Sequence, residues 1–269
     1  MLFVSDFSKI KNFLTRIVIG FVIGASMIIP GLSGGTAAIL FGVFYQIMEA
    51  VNNIFKKFKS NFFYLIPFVI GGIIGFVLSS LPIKFLLENF KFQFSFFIIG
   101  IILGSVNVFF KNKDLNFKNM IMTILGIILV LCQSIIKNNY INVDENYLFI
   151  CIIGLLSAIA LILPGISFTN ILISFGCYES FVINVSQFNV LYLIMFAVSL
   201  VMGTALFSNI IMKVYKKYPD SVDMLLSGLI IASIFDLYQG MPGGIEMFQC
   251  ILLLIGGFCS SFALSGAKK

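Results

Sequence analysis

Histidine and tryptophan are missing from these 269 residues, and charged side chains make up only 10% of them. Without histidine the chain lacks the commonest general base and the commonest metal ligand. Its 11 carboxylates are scattered along the sequence rather than clustered, which argues against a membrane enzyme acting on lipid phosphates. No catalytic residue, metal or cofactor is therefore expected. The five cysteines (Cys132, Cys151, Cys177, Cys250 and Cys259) are odd in number and all lie in apolar stretches. They form neither a disulfide framework nor a metal-ligand spacing, and read as small packing side chains. A small-residue cleavage site is also lacking after the first apolar run, so no removable signal peptide is expected.

Apolar residues fill that space. Hydrophobic side chains reach 60% and the mean hydropathy is +1.10, more apolar surface than a soluble exterior accommodates. The composition predicts an all-α polytopic membrane protein. The net charge of +6 then reports on membrane orientation, and nucleic acid is not an expected partner.

Five stretches, 62–81, 92–110, 119–136, 188–212 and 247–266, are close to the ~20 residues that a helix needs to cross hydrocarbon. A sixth, 224–239, carries Asp236 near its end. Two further uncharged runs, 17–48 and 146–178, are too long for one crossing, and each is interrupted by Pro-Gly. Residues 17–29 would span only ~20 Å as a helix, short of the ~30 Å of hydrocarbon. Each run is predicted to be a broken, re-entrant hairpin of two short helices, tolerated at depth only where protein or a water-filled cavity covers the break.

The two runs resemble one another. With Pro30 laid on Pro164, PGLSGGTAAILFG faces PGISFTNILISFG with six of thirteen positions identical, and Gly20 faces Gly154. Further along, GIILGSVNVFF from Gly100 matches GLIIASIFDLY from Gly228 in pattern, with Ser105 opposite Ser233. The chain thus divides into two repeats, about 10–137 and 146–269; if each broken run returns to the side it entered, as a re-entrant hairpin or as two thin crossings (the same parity either way), each repeat adds three crossings and the two are inverted. On that layout Lys9, Lys11, Arg16, Lys56, Lys57, Lys59, Lys111, Lys113, Lys118, Lys213, Lys216, Lys217, Lys268 and Lys269 share one side. Only Lys84, Lys91 and Lys137 fall on the other. The positive-inside rule makes the rich side cytoplasmic, with both termini there.

A broken helix exposes backbone donors at a depth where little else solvates an anion. Ser33 is placed to cap a half-helix starting near Thr36, and Gly34 and Gly35 let backbone approach a ligand closely. Ser167, Thr169 and Asn170 offer similar donors from the second hairpin. Paired broken helices of inverted repeats form substrate sites near the midplane of transporters. Of the charged residues, Arg16 is the single arginine and suits bidentate phosphate pairing, or an anchoring role at the interface. Glu179 is the candidate for proton coupling or a polar end; Glu49 and Asp236 read as interfacial. Gln46, Asn107 and Gln133 read as interhelical hydrogen bonders.

The stretch IGFVIGASMIIPGLSGGTAAILFGVF resembles the first signature of the bacterial polyprenyl-phosphate transporter family, and LILPGISFTNILISFGCYES is similar to its second. The resemblance runs over nearly the whole chain. It implies a flippase that returns undecaprenyl phosphate, the carrier lipid of cell-envelope synthesis, across the bacterial cytoplasmic membrane. Its phosphate would lie near Pro30, Gly31, Ser33, Gly34, Gly35 and Thr36, with Pro164, Gly165 and Ser167 opposite, and Glu179 matches the family's glutamate. Three positions depart from the pattern. Phe168 replaces a glycine and should narrow the second tip; Tyr45 stands where the first half usually has its glutamate; and Ala25-Ser26-Met27 replaces an Ala-Asn pattern. The alternative function is a small-anion channel or exchanger using the same helix ends.

Overall fold

The computed structural model describes residues 13–29, 31–110, 116–136 and 146–266, which are helical with no strand among them. Pro30, together with Lys9, Lys11, Lys111, Lys113, Lys137, Lys268 and Lys269, lies outside the described residues. The helices are α1 (Phe13–Ser26), α2 (Gly34–Leu40), α3 (Phe44–Asn52), α4 (Phe58–Asn89), α5 (Lys91–Phe110), α6 (Phe117–Ile136) and α7 (Tyr147–Ile162). The chain continues with α8 (Phe168–Ser174), α9 (Tyr178–Ser186), α10 (Val190–Lys217), α11 (Pro219–Ala232), α12 (Ile234–Leu237) and α13 (Gly244–Gly266). Helices α4, α5, α10 and α13 are long and apolar enough to cross a bilayer. This is a multi-pass membrane protein. Within 224–239, α11 ends at Ala232 and the single turn of α12 follows Ser233, whose backbone stays right-handed helical with its N–H donating to the Leu229 carbonyl at 3.2 Å.

Glycines set the helix pairing. Gly20 lies on the Phe68 backbone and Gly24 on that of Gly72, so α1 and α4 run parallel in direct backbone contact. Gly154 lies on Phe196, and Gly203 on Leu155 and Ala158, which makes α7 and α10 parallel in the same way. A side chain at these positions would push the helices apart, so small residues make the contact possible. Because α1 and α4 start at the same end, the chain between them must return to the end where α1 began. The same holds between α7 and α10.

The other two long contacts cross between the halves of the sequence. Helix α5 lies parallel to α13, with Gln93 Nε2 donating to Gln249 Oε1 at 3.2 Å and Gly100 and Gly104 against Leu254 and Phe258. Helix α6 lies along α11, where Thr123 Oγ1 donates to the Met224 carbonyl at 3.2 Å. Lys118, near the start of α6, sits 4.9 Å from the Tyr218 ring that precedes α11, and Lys217 sits 5.1 Å from the same ring. One end of the bundle therefore gathers the start of α6, the end of α10 and the start of α11. Helix α7 runs parallel to α10 and so begins at the opposite end.

Helix α11 is the centre of the core: Leu226, Leu229, Ile230 and Ala232 are fully buried. Ser105 and Ser233 are also fully buried. Each satisfies its hydroxyl by donating to the carbonyl three residues back, at 2.6 Å to Ile102 and 2.7 Å to Ile230.

Candidate functional site

Each hairpin has three helical segments rather than the two expected. After the Pro-Gly break, α2 runs seven residues, and the chain then bends by 117° into α3; α8 bends by 113° into α9. The bends are built alike. Gly42 and Gly176 adopt φ of 65° and 68°, the left-handed geometry that glycine reaches without Cβ strain. Gly42 N–H donates to the Ile39 carbonyl at 2.8 Å and Val43 N–H to Ala38 at 2.9 Å. Gly176 to Ile173 and Cys177 to Leu172 repeat the pattern, both at 2.9 Å. These are helix C-terminal caps of the Schellman type.

The two breaks meet. Ser33 caps α2 as expected, its Oγ accepting from Thr36 N–H at 3.3 Å and lying 3.1 Å from Thr36 Oγ1. The same Oγ accepts from the backbone N–H of Gly165, in the second break, at 3.1 Å. A Cβ at Gly35 would stand 3.2 Å from Pro164 Cα, so Gly35 is where the first hairpin touches the second. Gly31 (φ 74°) and Gly165 (φ 83°) both press on the central helices: Gly31 on Leu237 and Ser233, Gly165 on Leu229 and Ile230. Thr36 is fully buried, whereas Ser33 and Gly34 are half-buried.

On the second side, Ser167 caps α8, accepting from Asn170 N–H at 3.5 Å. Asn170 is buried and its Nδ2 donates to Asp236 Oδ2 at 3.2 Å, while Thr169 is exposed. The Phe168 ring packs edge-on against Phe181 of α9 and Phe196 of α10, with centroids 5.8 and 6.1 Å apart. It ties α8 to those helices.

Two predicted residues stand apart from the tips. Arg16 is ten residues before the end of α1, ~15 Å along the helix, with its guanidinium 4.3 Å above the Tyr64 ring of α4. Glu179 opens α9 beyond the bend and is exposed. In place of a glutamate in the first hairpin, the Tyr45 hydroxyl donates to Asp223 Oδ1 of α11. The Tyr45 ring stacks on Tyr215 of α10 at 3.9 Å between centroids. Asp223 is only 3% exposed, and a cavity of about 10 Å³ beside it is lined by Ile39, Gly42, Phe44, Val108 and Phe109. Sequence reading left Asp223 in a polar segment between crossings, and only the packing of α3, α10 and α11 reveals its burial.

A family model described as VCA0040-like, undecaprenyl phosphate translocase-like, matches residues 23–243. A "Polyprenyl-phosphate transporter" of Staphylococcus aureus is 28% identical over 268 residues, covering 93% of this chain and 95% of that one. A protein of the same name from Vibrio cholerae is 27% identical over 242 residues, covering 84% and 78%. No solved structure matches the chain significantly. The family match takes in both breaks, both bends and the central helices against which they press, and the chain belongs to the undecaprenyl phosphate translocase-like family.

Proposed function

We propose that the protein is a transporter of polyprenyl phosphate, a flippase that carries undecaprenyl phosphate across the bacterial cytoplasmic membrane so that the carrier lipid can be reused. In this reading the phosphate is bound where the breaks meet, by Gly31, Ser33, Gly34, Gly35 and Thr36, with Pro164, Gly165, Ser167, Thr169 and Asn170 opposite. The observation that carries it is the hydrogen bond from Gly165 N–H to Ser33 Oγ at 3.1 Å, which joins two hairpins from distant parts of the chain at one point. Two breaks converging there supply hydroxyls and backbone donors inside a membrane protein, where water does not compete for an anion.

The names of the Staphylococcus and Vibrio relatives supply the substrate class. The halves act as inverted repeats, a reading favoured by α1 and α7 starting at opposite ends: Arg16 of α1 lies on Tyr64 of α4, Tyr64 bonds Gln46 of α3, and Tyr45 of α3 stacks on Tyr215 near the end of α10. The end holding Lys59, Lys118 and Lys217 faces the cytoplasm by the positive-inside rule, with both termini on that side. Glu179 takes the proton-coupling role, so Glu179→Gln removes the response of transfer to a pH gradient while leaving the response to membrane potential.

The test is reconstitution into liposomes with a labelled polyprenyl phosphate, scoring leaflet transfer and chloride flux together. Gly35→Leu, which forces the tips apart, is expected to abolish transfer in protein that still inserts. Transfer at the unsubstituted rate would overturn the phosphate site. Chloride flux without lipid transfer would make an anion channel the function.

A further inference from the structure

The two halves pair their helices residue for residue. Gly20 lies on Phe68 as Gly154 lies on Phe196, and Gly75 lies on Phe21 as Gly203 lies on Leu155. The same register runs through the next junction, where α4 ends at Asn89 and α5 starts at Lys91, against Lys217 and Pro219 in the second half. It continues to Gly100 and Ser105, which answer to Gly228 and Ser233. Within this register Ser95 of α5 is the counterpart of Asp223 of α11, just as Glu179 is the counterpart of Tyr45.

In the first half the limb α3 carries a hydroxyl and the central helix a carboxylate, and Tyr45 donates to Asp223. The second half holds the same two groups with their places exchanged: a carboxylate on the limb α9 and a hydroxyl on the helix. Here the pair is unmade. Glu179 is exposed, and α9 packs on α8 and α10 of its own half, whereas α3 reaches across to α10 of the other. Ser95 is 1% exposed, and its Oγ has no hydrogen-bond partner among the described residues. It lies on the face of α5 that carries buried Ile102 and Val106, turned away from the glycines that meet α13. A helical serine can satisfy its hydroxyl on the preceding turn, as Ser105 does at 2.6 Å. A buried hydroxyl left without a bond, at the counterpart of Asp223, calls for a partner.

We propose that Glu179 docks on Ser95 in a second conformation of the protein, in which α9 seals the end of the bundle away from the lysines. The seal in the described conformation is at the lysine-bearing end, since Tyr45 stacks on Tyr215 beside Lys216 and Lys217 in the last turns of α10. The proposal rests on the transport reading above, because a headgroup that reaches the breaks from either face requires the two seals to alternate. Release of Tyr45 from Asp223 and Tyr215 frees α3 and opens the lysine-bearing end. At the other end the Ser95 hydroxyl donates to the Glu179 carboxyl. Each conformation thus closes one end with one bond between a hydroxyl and a carboxyl group.

The test is disulfide trapping in the full chain carrying Ser95→Cys and Glu179→Cys, reconstituted in liposomes, with the link located by mass spectrometry of its peptides. The link between positions 95 and 179 should form. Adding Tyr45→Phe, which weakens the opposing seal, should speed its formation by about fivefold or more, the population shift expected for one buried hydrogen bond. In a chain without new cysteines, Ser95→Ala should leave thermal stability unchanged, since the hydroxyl makes no bond in the described conformation, yet slow lipid transfer by about fivefold. No link between the two positions, while the unsubstituted protein transfers lipid, would overturn the proposal and leave the transport reading standing. So would a link that forms equally fast with and without Tyr45→Phe, or unchanged transfer in Ser95→Ala. Absence of lipid transfer in the unsubstituted protein would overturn the transport reading instead, and a link that quickens with Tyr45→Phe would still uphold the exchange of seals.

Discussion

The limbs α3 and α9 occupy the same place in the two hairpins, one after each glycine bend, yet they differ in packing. Helix α3 buries Phe44, Gln46, Met48 and Ala50; α9 buries no residue. Tyr45 and Glu179 are equivalent positions in the aligned hairpins. The first is locked onto Asp223 and Tyr215, and the second is exposed. Two copies of one backbone pattern therefore carry one sealed limb and one loose limb. Identical bends give similar chain paths, but side-chain complementarity decides which limb is fixed to the core.

The largest effect expected is at the breaks themselves. Gly165→Val combines a left-handed φ with a clash against the Leu229 backbone and should abolish folded, monodisperse protein in size-exclusion chromatography. Gly31→Val also sits at a left-handed φ, but its Cβ would meet the movable Leu237 side chain at 2.6 Å and the Ser233 carbonyl at 2.8 Å, against 2.2 Å to the Leu229 carbonyl at Gly165, so it should be the less damaging of the two by the same measure. Next come the limbs. Tyr45→Phe deprives buried Asp223 of a hydrogen-bond donor and should cost about 1–3 kcal/mol, while Glu179→Gln should stay within about 0.5 kcal/mol, both read from thermal denaturation in detergent. Equal shifts for the two would erase the distinction between sealed and loose limbs. Phe168→Ala should cost about 1–3 kcal/mol through its two aromatic contacts and raise protease cleavage within α9, for which that ring is a tether. Smallest, Ser33→Ala and Ser167→Ala each remove a helix cap worth about 1 kcal/mol. Ser33 should cost the more, since it also accepts from Gly165.

Much of this was legible in the sequence because it depends on local backbone chemistry. Pro-Gly interrupts a helix wherever it falls, and Ser33 is a capping residue three before Thr36; Gly20, Gly154, Gly100 and Gly228 stand out in the sequence only as repeat landmarks, and the structure makes each a close helix contact. The second bend in each hairpin was signalled by the Phe-Gly pairs at 41–42 and 175–176, which an uninterrupted apolar pattern disguised as continuing helix. Asp223 was not legible. A carboxylate beside lysines reads as solvated until α3 is known to cross over it. Arg16 was close in sequence to the motif, but a rigid helix turned that proximity into separation. Phe168 was expected to narrow the tip; sequence offered no means of seeing Phe181 and Phe196 waiting for its ring.

The crossed pairing of α5 with α13 and of α6 with α11 has a consequence for biogenesis. Helices α5 and α6 leave the ribosome well before the helices that cover them. Until residues 219–266 are inserted, both must be held by lipid or by the insertion machinery with their glycine faces uncovered. A chain halted after α10 would thus present two unpaired helices to membrane quality control. A gene cut between the halves should yield fragments that accumulate only when made together.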